Sequence, residues 1–132
     1  MLKQEVISEM RVLPHIDAEQ EIQRRIQFIK HQLSDSGLKT LVLGISGGID
    51  SCTLGKLAQL AVNELNEETN ADYRFIAVRL PYGVQADEQD AQASIDFIQP
   101  SVQMTANVEQ AADAIHASAL DGLAAAGEGC FA

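Results

Sequence analysis

The sequence predicts an α/β fold, a parallel doubly wound sheet with flanking helices in one domain. Three observations predict it. Short apolar runs near 41–45, 73–80 and 102–105 alternate with longer stretches whose apolar residues recur every three or four positions. Turn clusters such as Ser34-Asp35-Ser36-Gly37 and Pro81-Tyr82-Gly83 separate the two kinds of segment. The length of 132 residues suits a single core and is short for two ordinary domains.

The first strong helix is expected from Asp17, whose carboxylate can cap the first turn, with Gln20 completing an imperfect capping box. Ile22, Ile26, Ile29 and Leu33 give it one buried face. Leu41, Val42, Leu43 and Ile45 then read as a central strand covered on both faces. A helix beginning near Ser51 follows, with Leu54, Leu57, Ala58, Ala61, Val62 and Leu65 on its apolar stripe and a polar return loop over 67–72. The second strand spans 73–80 around Phe75, Ile76, Ala77 and Val78, and Pro81 stops its ladder. Asp87 is placed to cap a third helix through Ala91, Ile95 and Ile98. A short strand at 102–105 and an Ala-rich helix at 108–126 complete the alternation, which implies parallel strands with right-handed crossovers. Residues 127–132 are expected to be a weakly structured tail. Three strands leave the sheet incomplete at its C-terminal end, so a truncated chain is expected.

Nine Lys and Arg against nineteen Asp and Glu give a net charge of −10, which disfavours an extended nucleic-acid footprint. Small anionic ligands remain compatible with that charge, because backbone N–H groups and a bound cation act locally. No apolar run approaches the ~20 residues needed to span a bilayer, and no signal-peptide block opens the chain, so a cytoplasmic protein without membrane partners is expected. Cys52 and Cys130 form no C-x-x-C pair and read as plain thiols, Cys52 as a small buried residue. His15, His31 and His116 have no metal-ligand spacing. The acidic clusters Glu64, Glu67, Glu68 and Asp87, Glu88, Asp90 read as solvated faces and helix-start charges.

The segment that carries chemistry is Gly44-Ile45-Ser46-Gly47-Gly48-Ile49-Asp50-Ser51, between the first strand and the following helix. Two successive glycines permit positive φ angles and let backbone amides approach a phosphate closely. Ser46 and Ser51 can add hydroxyls, and the helix N-terminus points its partial positive charge at the same place. A carboxylate beside phosphates needs a cation between them, which assigns Asp50 to Mg²⁺. The alternative reading makes Asp50 a helix cap with no ligand. The Walker and dinucleotide-binding patterns are both absent, since Gly55-Lys56 is followed by Leu57 and no G-x-G-x-x-G occurs.

The Ser46-Gly47-Gly48-Ile49-Asp50-Ser51 string resembles the signature of the ATP pyrophosphatases, whose sheet is Rossmann-like, of the adenine nucleotide alpha hydrolase type. The longer segment Phe75-Ile76-Ala77-Val78-Arg79-Leu80-Pro81-Tyr82-Gly83-Val84-Gln85-Ala86-Asp87-Glu88-Gln89-Asp90-Ala91-Gln92 is similar to bacterial ammonia-dependent NAD⁺ synthetases. That resemblance runs from about residue 16 to 100 and fades beyond 108. It implies an ATP site lined by residues 44–51, with Asp50 on Mg²⁺ and with Arg79 and Gln85 contacting the nucleotide. Such a site belongs at the carboxyl ends of the strands, where both segments emerge. Read without the resemblance, Arg79 could also be a surface ion-pair residue.

The implied reaction adenylates the nicotinate carboxylate of deamido-NAD⁺ with ATP, releases pyrophosphate, and lets ammonia displace AMP. No protein nucleophile is needed, so Ser46 and Ser51 are expected to be ligands and no residue is assigned a covalent role. The family's second phosphate loop, second metal carboxylate and most deamido-NAD⁺ contacts have no counterpart here, so this chain alone is expected to lack complete catalysis. The resemblance also implies a homodimer for the full-length protein. Two alternatives stay open: another adenylating ATP pyrophosphatase, and a nucleotide-binding module without turnover.

Overall fold

A computed structural model describes residues 2–84 and 87–127. The elements in order are α1 (Lys3–Glu9), α2 (Ala18–Ser36), β1 (Thr40–Gly44), α3 (Ile49–Thr69), β2 (Arg74–Arg79), α4 (Glu88–Ile98), β3 (Val102–Thr105) and α5 (Glu109–Ala126). The strands form one parallel sheet in the order β1-β2-β3. The expected α/β class and its strand–helix alternation are therefore present. Helix α1 is an addition that the sequence pattern does not announce.

Helix α2 begins as the sequence implies: Asp17 Oδ1 accepts the Gln20 N–H at 3.1 Å, satisfying one orphan donor of the first turn. Gly37, at φ 72°, ends it in the left-handed conformation that glycine adopts without a Cβ penalty. On the sheet, Leu41, Leu43 and Ile45 alternate toward the same side as Tyr73, Phe75 and Ala77. These side chains pack with Ala58, Val62 and Leu65 of α3 and with Ile95 and Ile98 of α4. Phe75, Ile98 and Val62 are completely buried there. Helix α2 covers α3 from outside, with Ile26 against Leu57 and Ala61.

The structure corrects several expectations. Strand β2 is the central strand, whereas β1 pairs with a neighbour on one side only. Val42 is 64% exposed because the sheet face opposite α3, which it shares through the register with Ile76 and Val102, is left uncovered at β1 among the described residues. Helix α3 extends to Thr69, so Glu67 and Glu68 are helical and no loop begins at 67. Glutamate is a good helix former, and Asn70 provides the left-handed stop at φ 52°. The return is then held by Asn66, whose Oδ1 accepts the Tyr73 N–H at 2.7 Å and whose Nδ2 donates to the Tyr73 carbonyl at 2.9 Å. Asp87 stands at the N-cap of α4 without making the side-chain capping bond. Ile22 is exposed, and Cys52 is only half-buried. Helix α5 buries none of its residues and presents Ile115, Leu120 and Leu123 to solvent. Among the described residues no helix is long and apolar enough to cross a membrane.

The buried stripe of α2 contains a charge that the apolar pattern hides. Lys30 is almost fully buried, and its Nζ donates to Glu64 at 3.0 Å and to Glu68, both on α3. The hydrogen bond to Glu68 outweighs desolvation and raises the Lys30 pKa above its ordinary value of 10.5, with Glu64 adding to the effect. A raised lysine pKa stabilises the fold fully below the unfolded value, and that stabilisation is lost as pH climbs through the folded value. Denaturant midpoints should therefore carry a steady Lys30 contribution from pH 7 to about 9.5 and lose it above about 10.5. Lys30→Ala should cost about 1 to 2 kcal/mol at pH 7, since both glutamates remain partly solvated, and should remove this part of the alkaline slope.

Candidate functional site

The site lies where β1 and β2 leave the sheet at their carboxyl ends. Gly44 pairs with Val78, and the Ile45 N–H donates to the Val78 carbonyl at 2.8 Å, so the chain after β1 starts beside Arg79. A cleft of about 370 Å³ opens there, lined by Gly44, Ile45, Ser46, Val78, Arg79, Leu80 and Asp87. Its walls are mixed: Ile45, Val78 and Leu80 are apolar, while Ser46, Arg79 and Asp87 supply polar atoms.

The loop that continues from this cleft is shaped by its own hydroxyls. Ser51 Oγ accepts the Ser46 N–H at 3.2 Å and donates to the Gly48 carbonyl at 3.3 Å. Ser46 Oγ accepts the Gly48 N–H at 3.2 Å and lies 3.1 Å from Ser51 Oγ. The two serines thus brace the loop as well as offering donors. As at any α-helix start, the N–H groups of Ile49, Asp50 and Ser51 have no intrahelical acceptor, and Gly48 at the N-cap has no side chain to supply one. That end of α3 carries the positive pole of the helix and suits an anion.

Gly47 has φ +94°, and a Cβ there would come within 2.9 Å of the Ala91 backbone nitrogen in the first turn of α4. The loop and α4 are therefore in direct backbone contact. Gly47→Ala should combine a left-handed strain of about 1–2 kcal/mol with a clash against backbone that cannot rotate away. The expected result, measured by urea denaturation, is a loss of about 2 kcal/mol or more. Unchanged stability would mean that the loop adopts another conformation.

Arg79 closes the far wall. Its side chain is 4% exposed, and its terminal nitrogens donate to both carboxylate oxygens of Glu88, at 3.1 and 3.0 Å. It is an ion-pair residue, as the plainer sequence reading allowed, although buried where that reading put it at the surface. Its Nε is buried without a hydrogen-bond partner among the described residues. The next turn of chain is tied to the loop after β3: Val108 N–H donates to the Pro81 carbonyl at 2.9 Å, and Asn107 Oδ1 accepts the Gly83 N–H at 3.2 Å. Tyr82 donates its hydroxyl to Asp113 on α5, and that carboxylate raises the phenol pKa.

The structure thus gathers Gly44, Ile45, Ser46 and Arg79 around the cleft and sets Gly47, Gly48, Ile49, Asp50 and Ser51 beyond it, along the loop and the start of α3. Gln85 lies outside the described residues. Asp50 is exposed in the first turn of α3, and no group of three or more potential metal ligands occurs among the described residues. A single carboxylate beside phosphate oxygens is nevertheless a donor set that Mg²⁺ accepts, so Asp50 fits as a lone protein ligand. Sequence reasoning missed Glu88 and Asp87 as site residues. The available signal was the arginine at the end of a strand, followed by acids at the start of the next helix.

Residues 21–126 match the family model described as NAD synthase. The NH(3)-dependent NAD(+) synthetase of Vibrio parahaemolyticus is 58% identical over 118 residues, covering 89% of this chain and 43% of that protein. The corresponding protein of Pseudoalteromonas translucida is 52% identical over 128 residues, covering 96% of this chain and 46% of its own length. Among solved structures, the NAD+ synthetase of Burkholderia pseudomallei superposes with a TM-score of 0.79 at 44% identity, over 90% of this chain and 43% of that one. The chain spans less than half the length of these relatives.

Proposed function

Because the chain belongs to the NAD synthase family, we propose that its cleft and glycine loop form the ATP site of an ammonia-dependent NAD⁺ synthetase. The observation that carries this reading is the placement of an uncapped helix N-terminus and a braced glycine loop directly beside a cleft at the carboxyl ends of two parallel strands. The phosphates would lie on the N–H groups of Gly47, Ile49, Asp50 and Ser51, and the nucleoside would enter the cleft toward Arg79. Gln85 would join Arg79 in contacting the nucleotide.

Within the reaction, the substrate carboxylate of deamido-NAD⁺ attacks the α-phosphorus of ATP and pyrophosphate leaves. Ammonia then attacks the activated carbonyl carbon and AMP departs, leaving the amide of NAD⁺. The loop residues would contribute by holding the leaving pyrophosphate in line and offsetting the charge that grows on it. Asp50 would hold Mg²⁺, which when bound supplies positive charge between the phosphates and the carboxylate. Ser46 and Ser51 act in this scheme as hydrogen-bonding ligands, with no covalent intermediate on the protein. In the complete enzyme a homodimer acting on these small molecules is the proposed assembly, without nucleic-acid or membrane partners and in the cytoplasm.

The test pairs binding with turnover. Titration should detect ATP binding that is stronger with Mg²⁺ than without it, and Asp50→Ala should weaken the Mg²⁺-dependent part at least tenfold, about 1.4 kcal/mol, while sparing the fold. An Asp50→Ala protein with undiminished dependence on Mg²⁺ would remove the metal assignment. NAD⁺ formation from deamido-NAD⁺, ATP and ammonia by the protein carrying this segment tests the activity itself.

A further inference from the structure

We infer that Gly55 is a positioning residue for the phosphate loop: the side chain it lacks lets α3 lie close enough to Ile45 for the helix start and the glycine loop to face one anion. The inference rests on the ATP-site reading and adds to it a residue outside both the cleft and the loop. Gly55 is buried in the second turn of α3. An interior helical position favours alanine over glycine, so helix formation does not call for this residue. Close packing does call for it. A Cβ at position 55 would lie 2.7 Å from Ile98 Cδ1 and 3.2 Å from Ile45 Cδ1. Carbon atoms pack at about 3.5–4.0 Å, so an added methyl is short of room by about 0.8 Å at Ile98.

Both neighbours are enclosed. Ile98 is completely buried and Ile45 is 3% exposed, and both belong to the core cluster with Ala58 and Val62. The end of α4 is also tied to α3 at this level, because Lys56 Nζ donates to the Phe97 and Ile98 carbonyls at 3.0 and 3.5 Å. Relief of the crowding therefore falls on the separation of α3 from Ile45, which begins the loop and lines the cleft. The loop tolerates little of that. Ser51 on α3 reaches the Ser46 N–H, the Ser46 hydroxyl and the Gly48 carbonyl at 3.2, 3.1 and 3.3 Å, already at the long end of hydrogen-bond range. A small retreat of the helix start breaks this brace and draws the N–H groups of Ile49, Asp50 and Ser51 away from the Gly47 amide, so the two sets of donors no longer converge on one phosphate chain.

A purely structural glycine would affect stability without changing the affinity of the folded protein, and that difference can be measured. The experiment is a phosphorus NMR titration of the full chain with inorganic tripolyphosphate and Mg²⁺, with folding followed by circular dichroism. Gly55→Ala should weaken binding by the folded protein about tenfold. Leu65→Ala, which opens a cavity near the other end of the same helix, should lower the denaturation midpoint yet leave binding within about twofold of wild type. Ile98→Val removes the atom nearest the added methyl and should by itself also stay within about twofold. Combined with Gly55→Ala it should recover part of the loss and remain about threefold weaker than Ile98→Val alone, because Ile45 is still pressed. That last comparison decides the matter if Gly55→Ala by itself does not fold. Undiminished binding by a folded Gly55→Ala, an equal loss in Leu65→Ala, or a double variant that is unfolded, matches Ile98→Val, or does no better than a folded Gly55→Ala would overturn the proposal. A wild-type chain that binds neither tripolyphosphate nor ATP overturns the ATP-site reading and this inference with it; normal wild-type binding with an insensitive position 55 overturns this inference alone.

Discussion

The register of β1 on β2 is the constraint on which the site depends. Pairing Gly44 with Val78 makes the first strand end one residue short of Arg79, so the glycine loop and the arginine emerge side by side. Because side chains alternate along a strand, a slip by one residue would turn Leu41, Leu43 and Ile45 away from α3 and expose the core. The apolar packing that fixes the register is thus the same packing that places the polar site. The chemistry at the strand ends inherits its geometry from Phe75, Ala77 and the α3 residues that cover them.

A second level of organisation comes from the start of α4. Its first turn meets the loop through the close approach of Gly47 to Ala91 and meets β2 through Glu88 and Arg79. The residues between β2 and α4 are in turn connected to the β3–α5 loop by Asn107 and Val108. Sequence-distant segments are held around one opening by hydrogen bonds and by one ion pair whose arginine is buried and whose glutamate is exposed, with the apolar cluster beneath as the base.

Much of this was readable from residue pattern. The continuous apolar run of Phe75, Ile76, Ala77 and Val78, the Asp17 cap and the glycine pair after an apolar run all have local causes, and the structure realises them locally. What pattern could not reveal depends on contacts across long separations. Lys30 sits at a helical position next to Ile26 and Ile29, and nothing nearby in the chain says that glutamates on α3 will meet it. Glu88 likewise reads as an ordinary acid at a helix start until Arg79 is brought within reach. Strand β1 reads as central and covered on both faces because its residues are apolar, but composition reveals neither how many neighbours a strand has nor which face is covered; here β1 pairs with β2 alone among the described residues, and Val42 lies on an open face. In the candidate site, residue types and loop position were legible, whereas the division between cleft-lining and helix-end residues required the fold.

The tight approach of Gly47 to α4 has a mechanical consequence. With no side chain between them, the bend cannot move toward the helix without pressing on its backbone. Ile95 and Ile98 anchor the same helix in the interior. A ligand that pressed the bend toward α4 would therefore load a helix whose other end is seated in the core, so crowding at the opening is resisted by the hydrophobic interior.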